Sequence, residues 1–142
     1  LAQNSTTSVY LDFAHSPSKV KATIEAVKQQ NPNRRLVICF ELHTYSSLTK
    51  EFLNQYNGTL VGADTAYVFY DPQAVEMKKL PYLEPTDVLK SFGSPTPNIF
   101  INSNELIETL LKQSWNNTNL IVMTSGNFAG VDLQHLADKI VV

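Results

Sequence analysis

The chain has 142 residues, a net charge of −2, 43% hydrophobic and 17% charged residues, one cysteine and three histidines. That length suits one domain with a core of its own. The composition excludes a disordered chain, a basic nucleic-acid platform and a disulfide scaffold, and no run reaches the roughly 18 consecutive apolar residues of a membrane helix. The expectation is a cytoplasmic protein with neither nucleic acid nor membrane as partner.

In chain order, the polar opening Leu1–Ser8 has no initiator Met and lacks the basic end and apolar centre of a signal peptide. Residues 1–8 therefore read as a linker cut from something longer or as a tag remnant, with the domain proper at 9–142. Val9–Phe13 reads as a strand. Ser16 then caps a helix with Pro17 in its first turn, where the missing N–H costs nothing, and Val20, Ile24 and Val27 recur on one face. The helix ends near Asn31-Pro32. Leu36–Phe40 is a second strand, Leu48, Phe52 and Leu53 a short amphipathic helix, and Ala66–Tyr70 a third strand. The proline-rich stretch from Pro72 to Pro97 reads as a long connection in which only Pro85–Phe92 can form a helix. Pro97–Ile101 is a short strand, Asn104 caps a helix over Glu105–Gln113, Asn119–Thr124 is an apolar and hence central strand, and Leu133, Leu136 and Ile140 mark a closing helix. Short apolar runs alternating with helical period predict an α/β class, a Rossmann-like three-layer domain around a mostly parallel sheet of about six strands.

In such a sheet ligands gather at the carboxyl ends of the strands, where loops converge and helix N-termini point outward. Three polar clusters fall there: Asp12-Phe-Ala-His-Ser-Pro17, Glu41-Leu-His-Thr-Tyr-Ser-Ser47 and Thr124-Ser-Gly-Asn127. Asp12 can accept from ribose hydroxyls or ammonium groups and His15 can donate to a phosphate, although the pair serves equally well as a turn cap and a solvated loop residue. Glu41, His43 and Tyr45 alternate where a strand runs out into a loop, or form a polar strand edge. Ser125-Gly126-Asn127 can present backbone N–H groups to a carboxylate or phosphate, or be an ordinary turn.

Other chemistries lack their residues. Neither phosphate-binding glycine pattern, G-x-x-x-x-G-K-[ST] or G-x-G-x-x-G, occurs. His15, His43 and His135 with one cysteine make no close metal-ligand pair, so no metal site is expected. Ser16 and Ser125 lack the nucleophile-elbow pattern. Cys39 sits inside an apolar run as a buried thiol, His135 is a surface or half-buried helix residue, and Trp115 plugs a core edge. The three N-x-[ST] triplets are chance matches in a chain rich in Asn and Thr.

Tyr10-Leu-Asp12-Phe-Ala-His15-Ser-Pro17 resembles the D-[YF]-[AG]-H-x-P element that opens the C-terminal domain of the Mur ligases, the ATP-dependent amide ligases of peptidoglycan synthesis. Phe40-Glu-Leu-His43-Thr-Tyr45-Ser resembles F-[QE]-P-H-R-Y-[ST] of the UDP-N-acetylmuramate–alanine branch, and Ser125-Gly-Asn127 stands where that branch has a G-[AS]-G-[ND] turn. Asp-Phe-Ala-His is most similar to the murein peptide branch, which in recycling joins UDP-N-acetylmuramate to L-alanyl-γ-D-glutamyl-meso-diaminopimelate. The alanine branch has Arg at the positions of Thr44 and Ser47, where it helps hold the small amino acid's carboxylate.

The resemblance implies a bacterial cytoplasmic enzyme in which other domains of the same polypeptide bind the UDP-sugar and hold most of ATP and Mg2+. ATP phosphorylates the muramoyl carboxylate, and the incoming amine attacks the acyl phosphate. This domain closes over the site and is inactive alone. By the same resemblance Asp12 and His15 are catalytic and contact the nucleotide: Asp12 faces the ribose or phosphates, His15 the phosphates or the amine. His43, Thr44 and Tyr45 line the amino-substrate side, and Ser125, Gly126 and Asn127 form a carboxylate site. A free-standing flavodoxin-like binding module with the same architecture is the alternative of a different class.

Overall fold

The computed structural model describes residues 1–142. Its strands are β1 (Ala2–Gln3), β2 (Thr7–Asp12), β3 (Arg35–Glu41), β4 (Thr65–Phe69), β5 (Asn98–Phe100) and β6 (Thr118–Met123). They form one sheet in the order β1-β2-β6-β3-β4-β5, parallel throughout except for the antiparallel pairing of β1 with β2. The most apolar strands, β3 and β6, lie side by side near the middle, as continuous hydrophobic runs buried on both faces should.

The period of two along each strand divides the core into two layers. Leu36, Ile38 and Phe40 of β3, with Ile121 and Met123 of β6, face the layer that holds Val20, Ile24 and Val27 of α1 (Pro17–Gln30). The same layer takes Leu53 of α2 (Lys50–Leu53), Val75 of α3 (Pro72–Met77) and Val88 and Phe92 of α4 (Pro85–Phe92). Val37 and Cys39 of β3, with Leu120 and Val122 of β6, face Leu106 and Leu110 of α5 (Ser103–Lys112) and Leu136, Ala137 and Ile140 of α6 (Leu133–Ile140). Each buried aliphatic side chain of this kind stabilises the fold by roughly 1.5–3 kcal/mol. The expected three-layer α/β architecture with six mostly parallel strands is the one observed.

Local chemistry explains where boundaries depart from expectation. Residues 1–8, expected as linker, reach into the sheet: the Asn4 side chain accepts from the Thr6 and Thr7 N–H groups, each at 2.8 Å, and turns Ala2–Gln3 back along β2. Thr7 and Ser8 are buried, and the Thr7 hydroxyl donates to the Trp115 carbonyl. Ser16 occupies the N-cap of α1 without a side-chain bond, leaving Pro17 to start the helix. The helix expected around Leu48 and Leu53 is split into 3-10 turns at Ser46–Leu48 and Asn54–Tyr56 that flank the one-turn α2.

The connection before Pro97 holds an unexpected helix, α3, whose cap Asp71 accepts from the Gln73 N–H at 2.9 Å ahead of Pro72. That is the cap-then-proline signal also present at Ser16-Pro17. Asn102, rather than Asn104, caps α5, accepting from the N–H groups of Asn104 and Glu105 at 2.9 and 3.1 Å. Trp115 is buried and donates its indole N–H to the Leu110 carbonyl at 2.7 Å, while His135 is exposed on α6. No helix is long and apolar enough to cross a membrane.

Candidate functional site

Because β6 is inserted between β2 and β3, the loops leaving three adjacent strands open toward opposite layers: those after β2 and β3 toward α1 and α2, that after β6 toward α6. This reversal is the crevice in which open parallel sheets bind ligands. The register sets Asp12, Met123 and Phe40 abreast, and the Thr124 N–H extends the ladder by donating to the Asp12 carbonyl at 3.1 Å. All three polar clusters predicted from the sequence thus meet at one end of the sheet.

At its centre is Glu41, 2% exposed at the end of β3. Its Oε1 accepts from the Thr124 hydroxyl and, at 3.1 Å, from the Phe128 N–H. Its Oε2 lies 3.8 Å from Nδ1 of His43, close enough to pair when the ring is protonated. The Thr124 oxygen in turn accepts from the Gly126 N–H at 2.8 Å. Gly126 is pressed so close that a Cβ there would stand 3.0 Å from Cγ and Cδ2 of His43 and 3.1 Å from Oε1 of Glu41. His43 and Gly126 are therefore brought into contact, as two members of one cluster.

The remaining candidates are spread around this centre. Asp12 is half-buried, and its Oδ1 accepts from the Ala14 N–H at 2.7 Å, so it does cap the turn; Oδ2 has no partner within the chain. His15 is exposed with Nδ1 3.0 Å from the Phe13 carbonyl, and its own carbonyl is held by the Tyr56 hydroxyl at 2.5 Å. Thr44 and Ser47 spend their hydroxyls on each other and on the loop: Thr44 Oγ1 donates to Ser47 Oγ at 3.0 Å, and Ser47 Oγ to the Thr44 carbonyl at 3.0 Å. Tyr45 is 60% exposed. Ser125 is exposed, and the Asn127 side chain accepts from the Gly130 N–H at 3.0 Å. His15 and Tyr45 bond to none of the other candidates.

Glu41 and Thr124 belong to the polar clusters without a site role expected of them from the sequence, and they are the residues that tie the site together. The signal for Glu41 is a carboxylate continuing the apolar run Leu36–Phe40 with no polar residue between. Burial has a further effect here. The thiol of Cys39 is pushed well above the usual thiol range, first by desolvation and then by the charge of Glu41.

A shallow cavity of about 280 Å3 beside Asp12 is lined by Asp12, Phe13, Ala14, Lys19, Ala22 and Thr23. It brings together Asp12, with its free carboxylate oxygen, and exposed Phe13 and Lys19. No three His, Cys, Asp or Glu side chains are grouped to hold a metal ion. A second cavity of about 320 Å3, largely apolar, lies past the end of β4 between α3 and Leu80–Leu83.

Phe13, Tyr45 and Ile101 are exposed in the connections that follow β2, β3 and β5, and Met77 and Tyr82 at the end of α3 and beyond it.

Comparison with known proteins agrees with this fold. A domain assigned to a UDP-N-acetylmuramate:L-alanyl-γ-D-glutamyl-meso-diaminopimelate ligase of Haemophilus ducreyi 35000HP superposes with a TM-score of 0.65 at 22% identity, over 97% of this chain and 95% of that one. A murein peptide ligase of Psychrobacter arcticus 273-4 gives 0.68 at 16% identity, over 100% of this chain and 29% of that one. At these identities the likeness is one of fold. In sequence, the UDP-N-acetylmuramate–L-alanine ligase of Agathobacter rectalis is 36% identical over 118 residues, 82% of this chain and 25% of that protein. The chain thus spans about a quarter or less of the curated relatives it matches. The model of the Mur ligase glutamate ligase domain matches residues 1–128, and by that match over most of its length the chain belongs to the Mur ligase family, as its glutamate ligase domain.

Proposed function

We propose that this chain is the closing C-terminal domain of an ATP-dependent amide ligase of peptidoglycan recycling. The ligase joins the carboxyl of UDP-N-acetylmuramate to the amine of L-alanyl-γ-D-glutamyl-meso-diaminopimelate. The observation that carries the reading is the state of the 44–47 loop. Thr44 and Ser47 are neutral and donate their hydroxyls within the loop, so neither offers a positive charge or a free donor to the carboxylate of a small amino acid. A longer peptide can place its carboxylates elsewhere, including against the exposed Ser125–Asn127 segment.

ATP supplies the phosphoryl group that activates the muramoyl carboxylate, and Mg2+ accompanies it; both are held mainly by other domains of the polypeptide. The residues of this chain position and exclude water. Asp12, with Oδ2 free, accepts a hydroxyl of the nucleotide, while exposed His15 and Lys19 meet phosphate oxygens. His43 and Tyr45 line the side from which the amine approaches. Exposed Phe13 and Tyr45, which follow β2 and β3, are covered when the domain closes, which desolvates the reacting groups.

The alternative reading is a UDP-N-acetylmuramate–L-alanine ligase, favoured by the name of the Agathobacter rectalis relative. The two are separated by measuring phosphate release by the full-length protein at fixed ATP and UDP-N-acetylmuramate with either amino substrate. A kcat/KM for the tripeptide at least a hundredfold above that for L-alanine is expected. A preference for L-alanine overturns the recycling assignment, and no release with either overturns the ligase assignment.

A further inference from the structure

Phe128, Ala129 and Gly130 follow one another at φ of 55°, 60° and 93°. The connection from β6 to α6 therefore makes a short left-handed run in which two of three residues carry a Cβ. Such residues adopt this conformation rarely and keep it only where their surroundings fix it. Two sets of contacts do so from the layer of α6. The Phe128 ring is buried and stacks on Phe69 with centroids 5.7 Å apart, and Asn127 accepts from the Gly130 and Val131 N–H groups at 3.0 and 2.9 Å.

The third contact comes from the site itself: the 3.1 Å bond from the Phe128 N–H to Oε1 of Glu41. That oxygen also holds the Thr124 hydroxyl at the other end of the connection, so one carboxylate grips the segment at 124 and at 128. Between these grips stand Ser125, Gly126 and Asn127, with Gly126 against the His43 ring and Oε2 of Glu41 facing Nδ1 of the same ring. Burying a carboxylate is costly, and an apolar residue at the end of β3 would serve stability alone at least as well. What the carboxylate adds is a fixed geometry between two loops on different strands.

We infer that Glu41 is a positioning residue: it clamps the left-handed turn at 128–130 and so holds Ser125–Asn127 against His43 as a preformed contact surface for the carboxylate-bearing amino substrate. The inference rests on the ligase reading above for the identity of that substrate. It deepens that reading by naming the group that sets the geometry of the amino-substrate side.

The test compares the full-length protein with its Glu41→Ala, Glu41→Gln and Thr124→Val variants by hydrogen exchange and by steady-state kinetics, using whichever amino substrate the wild type turns over. In Glu41→Ala, peptides covering 124–131 should exchange at least tenfold faster while those covering 118–123 are unchanged. KM for the amino substrate should rise at least tenfold, with KM for ATP unchanged and kcat within threefold. Glu41→Gln keeps the carbonyl that accepts both bonds, so protection of 124–131 should stay within threefold of wild type. If Glu41→Ala does not fold, Thr124→Val, which removes one grip and keeps side-chain volume, carries the same expectation. Unchanged protection in the variant that folds overturns the clamp. Faster exchange with an unchanged amino-substrate KM, or with KM for ATP rising equally, overturns the positioning role. A wild type with no ligase activity overturns the ligase reading, and with it the substrate named here, while the exchange arm still decides the clamp.

Discussion

The hydroxyl of Thr124 donates to the buried carboxylate of Glu41 and accepts from the Gly126 N–H, so a single side-chain oxygen joins the end of β3 to the turn after β6. Replacing it by Val keeps the shape and removes both bonds. The loss leaves the buried Glu41 carboxylate one partner short, at about 1–3 kcal/mol, and the half-buried Gly126 N–H without its acceptor, a cost that is large beside the ~5–15 kcal/mol that holds a domain together. Urea denaturation of Thr124→Val should show a lower midpoint with an unchanged slope. A midpoint equal to wild type would mean that solvent replaces both bonds.

The fold was legible in the sequence because strand runs and helical periods were uninterrupted where the core is. Leu36–Phe40, Asn119–Thr124 and the spacing of Val20, Ile24 and Val27 led directly to the observed layers. What escaped was set by single side chains acting on backbone. Asn4 folds the opening segment onto the sheet edge, Asp71 starts α3 inside a proline-rich stretch, and Asn102 starts α5 two residues before the expected helix. The location of the candidate site was legible from strand ends; its wiring was not. The bond between Glu41 and Thr124 spans 83 residues of sequence, and no local pattern encodes a contact that exists only because β6 is inserted beside β3.

Gly126 offers a sharper probe of the same place. Its backbone is not left-handed, so alanine there is opposed by contact alone, with the new Cβ 3.0 Å from two ring carbons of His43. The ring must move or the turn must lift. Overpacking of this kind costs about 1–3 kcal/mol. Gly126→Ala should lower the melting temperature modestly and shift the ring resonances of His43 in NMR spectra far more than those of His135. Equal shifts at the two histidines would show that the substitution acts globally.

Three buried groups make stability fall at alkaline pH. Cys39, Tyr56 and Tyr70 all have their ionisation pushed up in the folded state, each first of all by burial. The unfolded chain therefore releases these protons at lower pH than the folded one. Their contribution is complete below the ordinary thiol pKa of about 8.5 and is lost as pH rises, first through Cys39 and then, above about pH 10, through the tyrosines. Each proton gives a slope of about 1.4 kcal/mol per pH unit. Stability measured in urea should be flat with respect to these groups from pH 7 to 8 and decline above 9, and Cys39→Ala should delay the onset. An onset unmoved by that substitution would assign the first loss to another group.

Asp12 separates local structure from function in one residue. Its Oδ1 caps the turn to Ala14, and Oδ2 is left for a ligand. Asn at this position keeps an acceptor for the Ala14 N–H and loses the charge, whereas Ala loses both. Asp12→Ala should cost about 0.5–2 kcal/mol of stability, the range of a lost cap, and Asp12→Asn only a few tenths. In the full-length enzyme both should reduce turnover at least tenfold. Turnover that tracks the stability of the two variants would reduce Asp12 to a turn cap.

The 44–47 loop is where substrate choice should be convertible. Ser47 is 1% exposed, so an arginine there would have to displace the core beneath it, whereas Thr44 is only half-buried. Thr44→Arg breaks the hydroxyl pair with Ser47 and places a guanidinium at the mouth of the loop beside His43. A charge-assisted hydrogen bond to a substrate carboxylate contributes about 1.5–3 kcal/mol, or roughly ten- to hundredfold in affinity. The ratio of kcat/KM for L-alanine to that for the tripeptide should therefore rise at least tenfold in the variant, through a lower KM for L-alanine. An unchanged ratio would place the amino-substrate carboxylate away from this loop and leave Ser125–Asn127 as the segment to which it binds.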